Sequence, residues 1–288
     1  MHGFLVVNGF LNTDKFSDIY SRLKASFEEK GVKLSLYTND AFSLSATDTP
    51  TIPEKPDFVL FWDKDVLLAK SFEEMGIPVF NPSKSIELCD DKAKMHLSLR
   101  GLPMPETYIA PMTFPNIGFA NLDFLDEIEK NLGYPMVVKE RFGSFGAQVY
   151  LAKNRSELLK ITKSHETSPL IFQKFILESA GRDVRINVVG HRVVASMLRE
   201  SESGDFRSNV TLGGKTTPYT PTKDEIALAE EASRRLGLSF AGIDILFGND
   251  GPLICEVNSN AHFKSTLDCT GVNLSDLIAD HIIKECGK

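Results

Sequence analysis

Residues 241–260, AGIDILFGNDGPLICEVNSN, set two carboxylates and an amide inside two otherwise apolar runs. Side chains alternate faces along a strand, so Glu256 and Asn258 share a face. If the five residues GNDGP connect a hairpin, Phe247 opposes Leu253 and Asp244 opposes Glu256. Pro252 has no N–H, which favours leaving it out of the ladder. That register gathers Asp244, Glu256 and Asn258 on one face with Leu246 and Ile254. It leaves Ile243, Ile245, Phe247, Leu253, Cys255 and Val257 on the other, with Cys255 expected in the core. Two carboxylates opposed at about 5 Å need a proton, a basic side chain or a divalent cation between them. An all-oxygen set of Asp, Glu and Asn suits Mg²⁺ or Mn²⁺ and poorly suits zinc. The alternative is an ordinary polar sheet face.

Mg²⁺ bound by few carboxylates usually shares its shell with substrate phosphates. Phosphate-binding groups are therefore expected elsewhere. VVKERFGSFGAQVYL supplies Lys139 at a strand end and a turn containing Gly143 and Gly146, where backbone N–H groups can approach phosphate oxygens. The GxxxxGK[ST] phosphate loop is absent. Arg185, Arg199 and Arg207 form a second basic set, suited to planar carboxylate and phosphate acceptors. A plain hairpin turn and solvated arginines are the competing explanations for each feature alone; their coincidence with the acid–acid–amide set favours a site.

The elements that must position these residues are legible in outline. FLVVNG, the amphipathic FSDIYSRLKASFEEKG, VKLSLYT, DFVLFWD and IPVF suggest strand–helix–strand–strand in an open α/β sheet over residues 1 to about 90. No GxGxxG follows the first strand, which excludes a dinucleotide-binding oxidoreductase. Helical patterning over SKSIELCDDKAKMHLSLRG stops at Gly101 and Pro103. NLDFLDEIEKNLG and NRSELLKITKS, the latter capped by Asn154, are helices; YPMVVKERFGSFGAQVYLAKN is strand–turn–strand, and LIFQKFI is a strand. GRDVRINVVGHRVVASMLRES reads as two strands about Gly190-His191, and the Gly/Ser/Thr-rich ESGDFRSNVTLGGKTTPYT as a loop. DEIALAEEASRRLG and NLSDLIADHIIKECG are helices, the last with Asn273 or Ser275 as its cap.

Composition narrows the function. A net charge of −7 argues against a nucleic-acid partner bound through a broad basic surface. The four cysteines have no CxxC spacing, which fits a reducing cytoplasm better than a disulfide scaffold. The apolar N-terminus lacks a basic n-region, and no run approaches the ~18 apolar residues of a membrane span.

Taken in order, these segments resemble the ATP-grasp superfamily, and within it the RimK-like branch of carboxylate–amine ligases. DDKAKMHLSLRGLPMPET is similar to a DK-containing helix followed by GxPxPxT; YPMVVKERFGSFGAQV to a P-x-V-x-K strand and glycine-rich loop. GRDVRINVVGHRVVASMLRES, GDFRSNVTLGG, AGIDILF and PLICEVNSNAHF continue the likeness over about residues 80–288. The resemblance implies an ATP-grasp α/β (α+β) fold: an N-terminal open α/β domain (1–91), a central subdomain with the glycine-rich lid (92–172) and a C-terminal metal and substrate subdomain (173–288). It implies that Lys92 and Lys139 contact ATP, that Ser144, Phe145 and Gly146 form a lid, and that Gln173, Lys174, Phe175 and Ile176 line the adenine pocket. Asp183 would lie near the ribose, with Arg185 beside the nucleotide. Asp244, Glu256 and Asn258 would hold two Mg²⁺ ions, and Arg199, Arg207 and Asn209 would face the transferring phosphoryl group and the carboxylate substrate.

The implied activity is ATP-dependent joining of a carboxylate to an amine through an acyl phosphate, on small-molecule or peptide substrates, by a homodimer or homotetramer. A catalytically silent nucleotide-binding module is the alternative. Three positions depart from the branch. Lys174 stands where an acid is common, Ala147-Gln148 follow the glycine loop, and SNAHFKST replaces the ASPGLEG string of ribosomal-protein glutamate ligases. The last departure leaves the amino acid and its acceptor unassigned. Segment 201–214 and turn 143–146 are candidate closing loops over an intermediate that water would destroy. His262 and Lys264, just past the acidic strand, are candidates for substrate contact.

Overall fold

The computed structural model describes residues 1–11, 13–114, 116–143, 146–208 and 213–287. Its first sheet is parallel. β1 (His2–Val7), α1 (Asp14–Glu29), β2 (Lys33–Thr38), β3 (Phe58–Trp62), α2 (Val66–Glu74) and β4 (Val79–Phe80) give the strand order β2-β1-β3-β4. Leu5 and Val7 of β1 with Phe58, Leu60 and Trp62 of β3 face a core shared with α1. Phe4, Val6, Val59 and Phe61 face a second core under α2. Both faces are covered, so these strands are apolar at every position rather than alternating. The helix α2 separates β3 from β4, where the sequence suggested that the two strands follow directly.

The next helical stretch is two helices, α3 (Ser83–Asp90) and α4 (Lys92–Ser98), broken at Asp91. The Asp91 side chain accepts from Ala93 N at 2.9 Å, which satisfies a donor at the start of α4. A second, antiparallel sheet follows, from β5 (Thr107–Ile109), α5 (Phe124–Leu132), β6 (Met136–Glu140), β7 (Val149–Ala152), α6 (Arg155–Ser164) and β8 (Leu170–Lys174), in the order β5-β8-β6-β7. Asn154 caps α6, accepting from Glu157 N at 3.0 Å. Both helices pack on the face that carries Met136 and Val138; Lys139 lies on the other.

The third sheet is antiparallel and larger. β9 (Arg182–Val189) and β10 (Arg192–Ser201) turn at Gly190-His191, both with positive φ. β11 (Gly214–Pro218), α7 (Lys223–Leu236), β12 (Phe240–Gly248) and β13 (Gly251–Asn258) complete the order β11-β10-β9-β12-β13. Residues 214–218, expected in a loop, instead pair with β10. Val184, Ile186, Val188, Ile243, Ile245 and Val257 pack against α7 and α4. The opposite face of β9 carries Asp183, Arg185 and Asn187. α8 (Lys264–Thr270) and α9 (Leu274–Cys286) close the chain, and α9 returns to pack beside α1 on the parallel sheet.

The hairpin register corrects the expectation of a five-residue connection. Gly248 pairs with Gly251 and Phe247 with Pro252, so Asn249-Asp250 form a two-residue turn and Pro252 lies in the ladder. β13 is an edge strand, where a proline is tolerated. A bulge at Cys255 then restores the pairing of Asp244 with Glu256. The bulge moves Ile254 into the apolar core and swings Cys255 out of it, the reverse of the expected faces.

Candidate active site

The polar face of the third sheet is a row of charges set by register. Arg199 pairs across strands with Asp183, and Arg185 with Asp244; Asp244 is in turn opposite Glu256. Arg199 donates to Asp183 through Nε and Nη2, both at 2.6 Å, and its Nη2 lies 3.0 Å from Asp244 Oδ1. Arg185 donates to Asp244 Oδ2 from Nη2 at 3.0 Å and to Oδ1 from Nε. Burial opposes ionisation of Asp244, yet the two guanidiniums outweigh it and hold its carboxyl below the ordinary range. Arg199 is almost wholly buried; burial pulls its pKa down, and Asp183 and Asp244 push it up further.

Lys92 and Lys139 approach this row from the other elements. Lys139 donates from Nζ to Gln173 Oε1 at 2.7 Å and to Cys255 Sγ at 3.6 Å. Cys255 therefore faces the site and not the core. Lys92 Nζ lies 3.4 Å from Glu256 Oε1 and donates to Gly143 O at 3.2 Å. Two contacts seat it at the start of α4. Lys92 N donates to Arg141 O at 3.0 Å, and Arg141 Nε donates to the buried Asp91 at 2.9 Å. Burial raises the Asp91 carboxyl, but Arg141 and the α4 N–H groups bring it below its ordinary value.

His96 was not singled out from sequence. It follows Lys92 by four residues, hence lies on the same face of α4, which is the signal that could have found it. Its Nε2 is 3.2 Å from Gln173 Nε2. Burial, then the charges of Lys139 and Lys92, push its pKa down to about 4, so it is neutral at pH 7 and accepts from the Gln173 amide. The same amide donates to Thr107 Oγ1 at 2.9 Å. The Gln173 side chain is thus spent on fixing Lys139.

The remaining expected residues divide. Lys174, Phe175 and Ile176 run from the end of β8 toward β9; Lys174 N donates to Glu106 O at 2.9 Å, and the Phe175 ring packs on Phe206 at 6.3 Å. Arg207 donates from Nη1 to Gly146 O at 2.8 Å and to Asp205 from Nε and Nη2, so the two candidate closing loops touch. Ser144, Phe145 and Asn209 lie outside the described residues.

Arg185, Arg199, Asp244, Glu256, Asn258 and Gly143 line one cleft of about 960 Å³. It extends to Asn8, Trp62 and Asp63 at the carboxyl ends of β1 and β3, and to His262 and Lys264. Gly242 permits the segment after β13 to close over the sheet: a Cβ there would stand 2.5 Å from Ala261 Cβ.

The donor set fits magnesium. Among the described residues no three His, Cys, Asp or Glu side chains gather as a self-sufficient cage. Two carboxylates and an amide on one cleft wall match the partial shell of an ion that also binds phosphate. Asp244 Oδ2 accepts a single arginine bond and retains a lone pair.

Residues 90–282 match the RimK-like ATP-grasp domain. A "Probable alpha-L-glutamate ligase 1" of Hahella chejuensis is 33% identical over 286 residues, covering 92% of this chain and 90% of that protein. Human "N-acetylaspartylglutamate synthase A" is 34% identical over 224 residues, covering 76% of this chain but only 56% of that protein. Among solved structures, the ATP-grasp ligase PsnB with a phosphomimetic variant of its minimal precursor, Mg and ADP superposes with a TM-score of 0.70 at 16% identity, covering 99% of this chain and 98% of that one. The family match and these relatives define an ATP-dependent carbon–nitrogen ligase. The chain belongs to the RimK-like ATP-grasp family.

Proposed function

We propose that the protein joins the carboxylate of one small molecule or peptide to the amino group of L-glutamate, releasing ADP and phosphate. The names of the two curated relatives support glutamate as a substrate. The observation that carries the ligase reading is the charge row: cations and oxygen donors face one another on the wall of a cleft that two loops can close.

In this reading the substrate carboxylate attacks the γ-phosphorus of ATP, giving an acyl phosphate and ADP. The amine, in its neutral form, then attacks the acyl carbon, and phosphate departs carrying one former carboxylate oxygen and taking up the proton that the nitrogen loses. Lys139, fixed by Gln173, and Lys92, fixed through Arg141 and Asp91, would neutralise phosphate charge without having to reorganise. Glu256, Asn258 and Asp244 Oδ2 would hold magnesium. The ion, when bound, stabilises charge on the phosphoryl oxygens. Arg199 and Arg185 keep Asp244 ionised and aimed, and Arg199 also borders the place where the carboxylate substrate would lie. Arg207, with Asn209 near it in sequence, would draw the glycine turn over the phosphates and exclude water. Gly146 would serve in that turn with Ser144 and Phe145, and residues 173–176 with Asp183 would border the nucleoside.

Carboxylate substrate labelled with ¹⁸O tests the intermediate. One label atom is expected in each phosphate released with ligated product. Unlabelled phosphate accompanying product would reject the acyl phosphate.

A further inference from the structure

The cleft runs past the charge row to the carboxyl edge of the parallel sheet, a common ligand position in open α/β folds. Among the described residues, two acceptors there lack adequate donors. Asp63 is 7% exposed. Its Oδ1 accepts from Lys64 N at 2.7 Å and Asn8 Nδ2 at 3.1 Å, whereas among the described residues Oδ2 has only a long 3.4 Å bond from the same Asn8 amide. Burial outweighs those bonds and raises the Asp63 pKa. Asn260 donates from Nδ2 to Asp63 O at 2.6 Å, which fixes the orientation of its amide. Its Oδ1 is then buried with no partner among the described residues. A buried acceptor without a donor is unfavourable, so this arrangement calls for a donor from the cleft, whether water or a ligand group.

Beside the two acceptors stands an apolar wall. Trp62 stacks on Phe240 with ring centroids 5.2 Å apart, and Phe16 lines the same cleft. A wall of this kind suits the carbon body of an organic molecule. We propose that this edge binds the amine substrate as its ammonium ion, with N–H groups donating to Asp63 Oδ2 and Asn260 Oδ1. An ammonium brings three donors and a further positive charge to the buried carboxylate. A divalent metal fits less well, because the Asn8 amide donor already lies against both Asp63 oxygens and only one carboxylate takes part in this group.

The proposal deepens the ligase reading and rests on it for the identity of the amine. Calorimetric titration of the full chain with L-glutamate, in the presence of Mg²⁺ and a non-hydrolysable ATP analogue, tests it. L-glutamate is expected to bind at least tenfold tighter than N-acetyl-L-glutamate, which has no ammonium. Asp63→Asn is expected to weaken glutamate at least tenfold and Asn260→Ala about threefold to tenfold, with affinity for the ATP analogue changed less than twofold. Should Asp63→Asn fail to fold, Asn260→Ala and the acetylated ligand carry the test. Equal binding of the two ligands, no binding of glutamate, or wild-type affinity in the variants would overturn the proposal. Intact, ammonium-dependent glutamate binding without glutamate-dependent ADP release would instead overturn the ligase reading and leave the subsite standing.

Discussion

β3 and β9 are both central strands, yet they treat their side chains in opposite ways. β3 buries Phe58 through Trp62 on two faces, and polar chemistry begins only at Asp63, past its end. β9 buries Val184, Ile186 and Val188 on one face and presents Asp183, Arg185 and Asn187 on the other. The parallel sheet is covered by helices on both sides, so ligands can reach only its edge. The antiparallel sheet has α8 over part of its polar face, where Asn187 donates to Thr266, and opens to the cleft at Arg185, Arg199 and Asp244, so charges there can work as a surface. The cleft joins an edge of the first sheet to a face of the second.

The sharpest way to break this contrast is to remove a charge from the working face. Arg199→Ala leaves Asp183 and Asp244 buried with fewer partners and is expected to lose about 3–5 kcal/mol of unfolding free energy. Urea denaturation followed by circular dichroism reads it. A loss under 1 kcal/mol would mean that the row is a solvated surface and that the two strands do not differ as described. Glu256→Gln probes the same face at its less buried end. Turnover is expected to fall about 10²–10³-fold, in the range for losing one preorganised electrostatic group, while stability changes by less than about 1 kcal/mol. ADP release at saturating ATP measures the first, and the denaturation midpoint the second. Unchanged turnover would remove Glu256 from the chemistry.

The burial of His96, reinforced by the charges of Lys139 and Lys92, can be read through pH. With a folded pKa of about 4 against an ordinary value of 6.5, the unfolded chain takes up a proton first as pH falls. The stability tied to neutral His96 is present above pH 6.5 and is lost between pH 6.5 and 4, by about 3 kcal/mol. His96→Gln should flatten that part of the stability–pH curve. An unchanged slope would place the titration elsewhere.

Much of the site was legible because its residues lie in patterned strands. Alternation in EVN placed Glu256 and Asn258 on one face without knowledge of the fold, and Arg185 stood out only as part of a basic set with Arg199 and Arg207. The pairing of Asp244 with Glu256 was also anticipated, but through the wrong turn: a two-residue connection and a bulge reach the same pair as a five-residue connection without one. That degeneracy has a physical origin. One inserted residue reverses the facing of all that follow, and a bulge reverses it again. Cys255 and Ile254 were misplaced for this reason alone. The helix α2 escaped notice because its nine residues are short for a periodic signal.

The amino-acid sequence by itself determined most of the elements, the oxygen-donor set and the family, since these depend on periodicity and on ordered local motifs. Tertiary structure alone decided that Arg185 and Arg199 converge on Asp244, that Asp91 and Arg141 seat Lys92, and that Asp63 and Asn260 meet across 197 residues of chain. Those contacts join segments distant in sequence, and no local spacing encodes the sheet register or the docking of one sheet on another that brings them within hydrogen-bond reach.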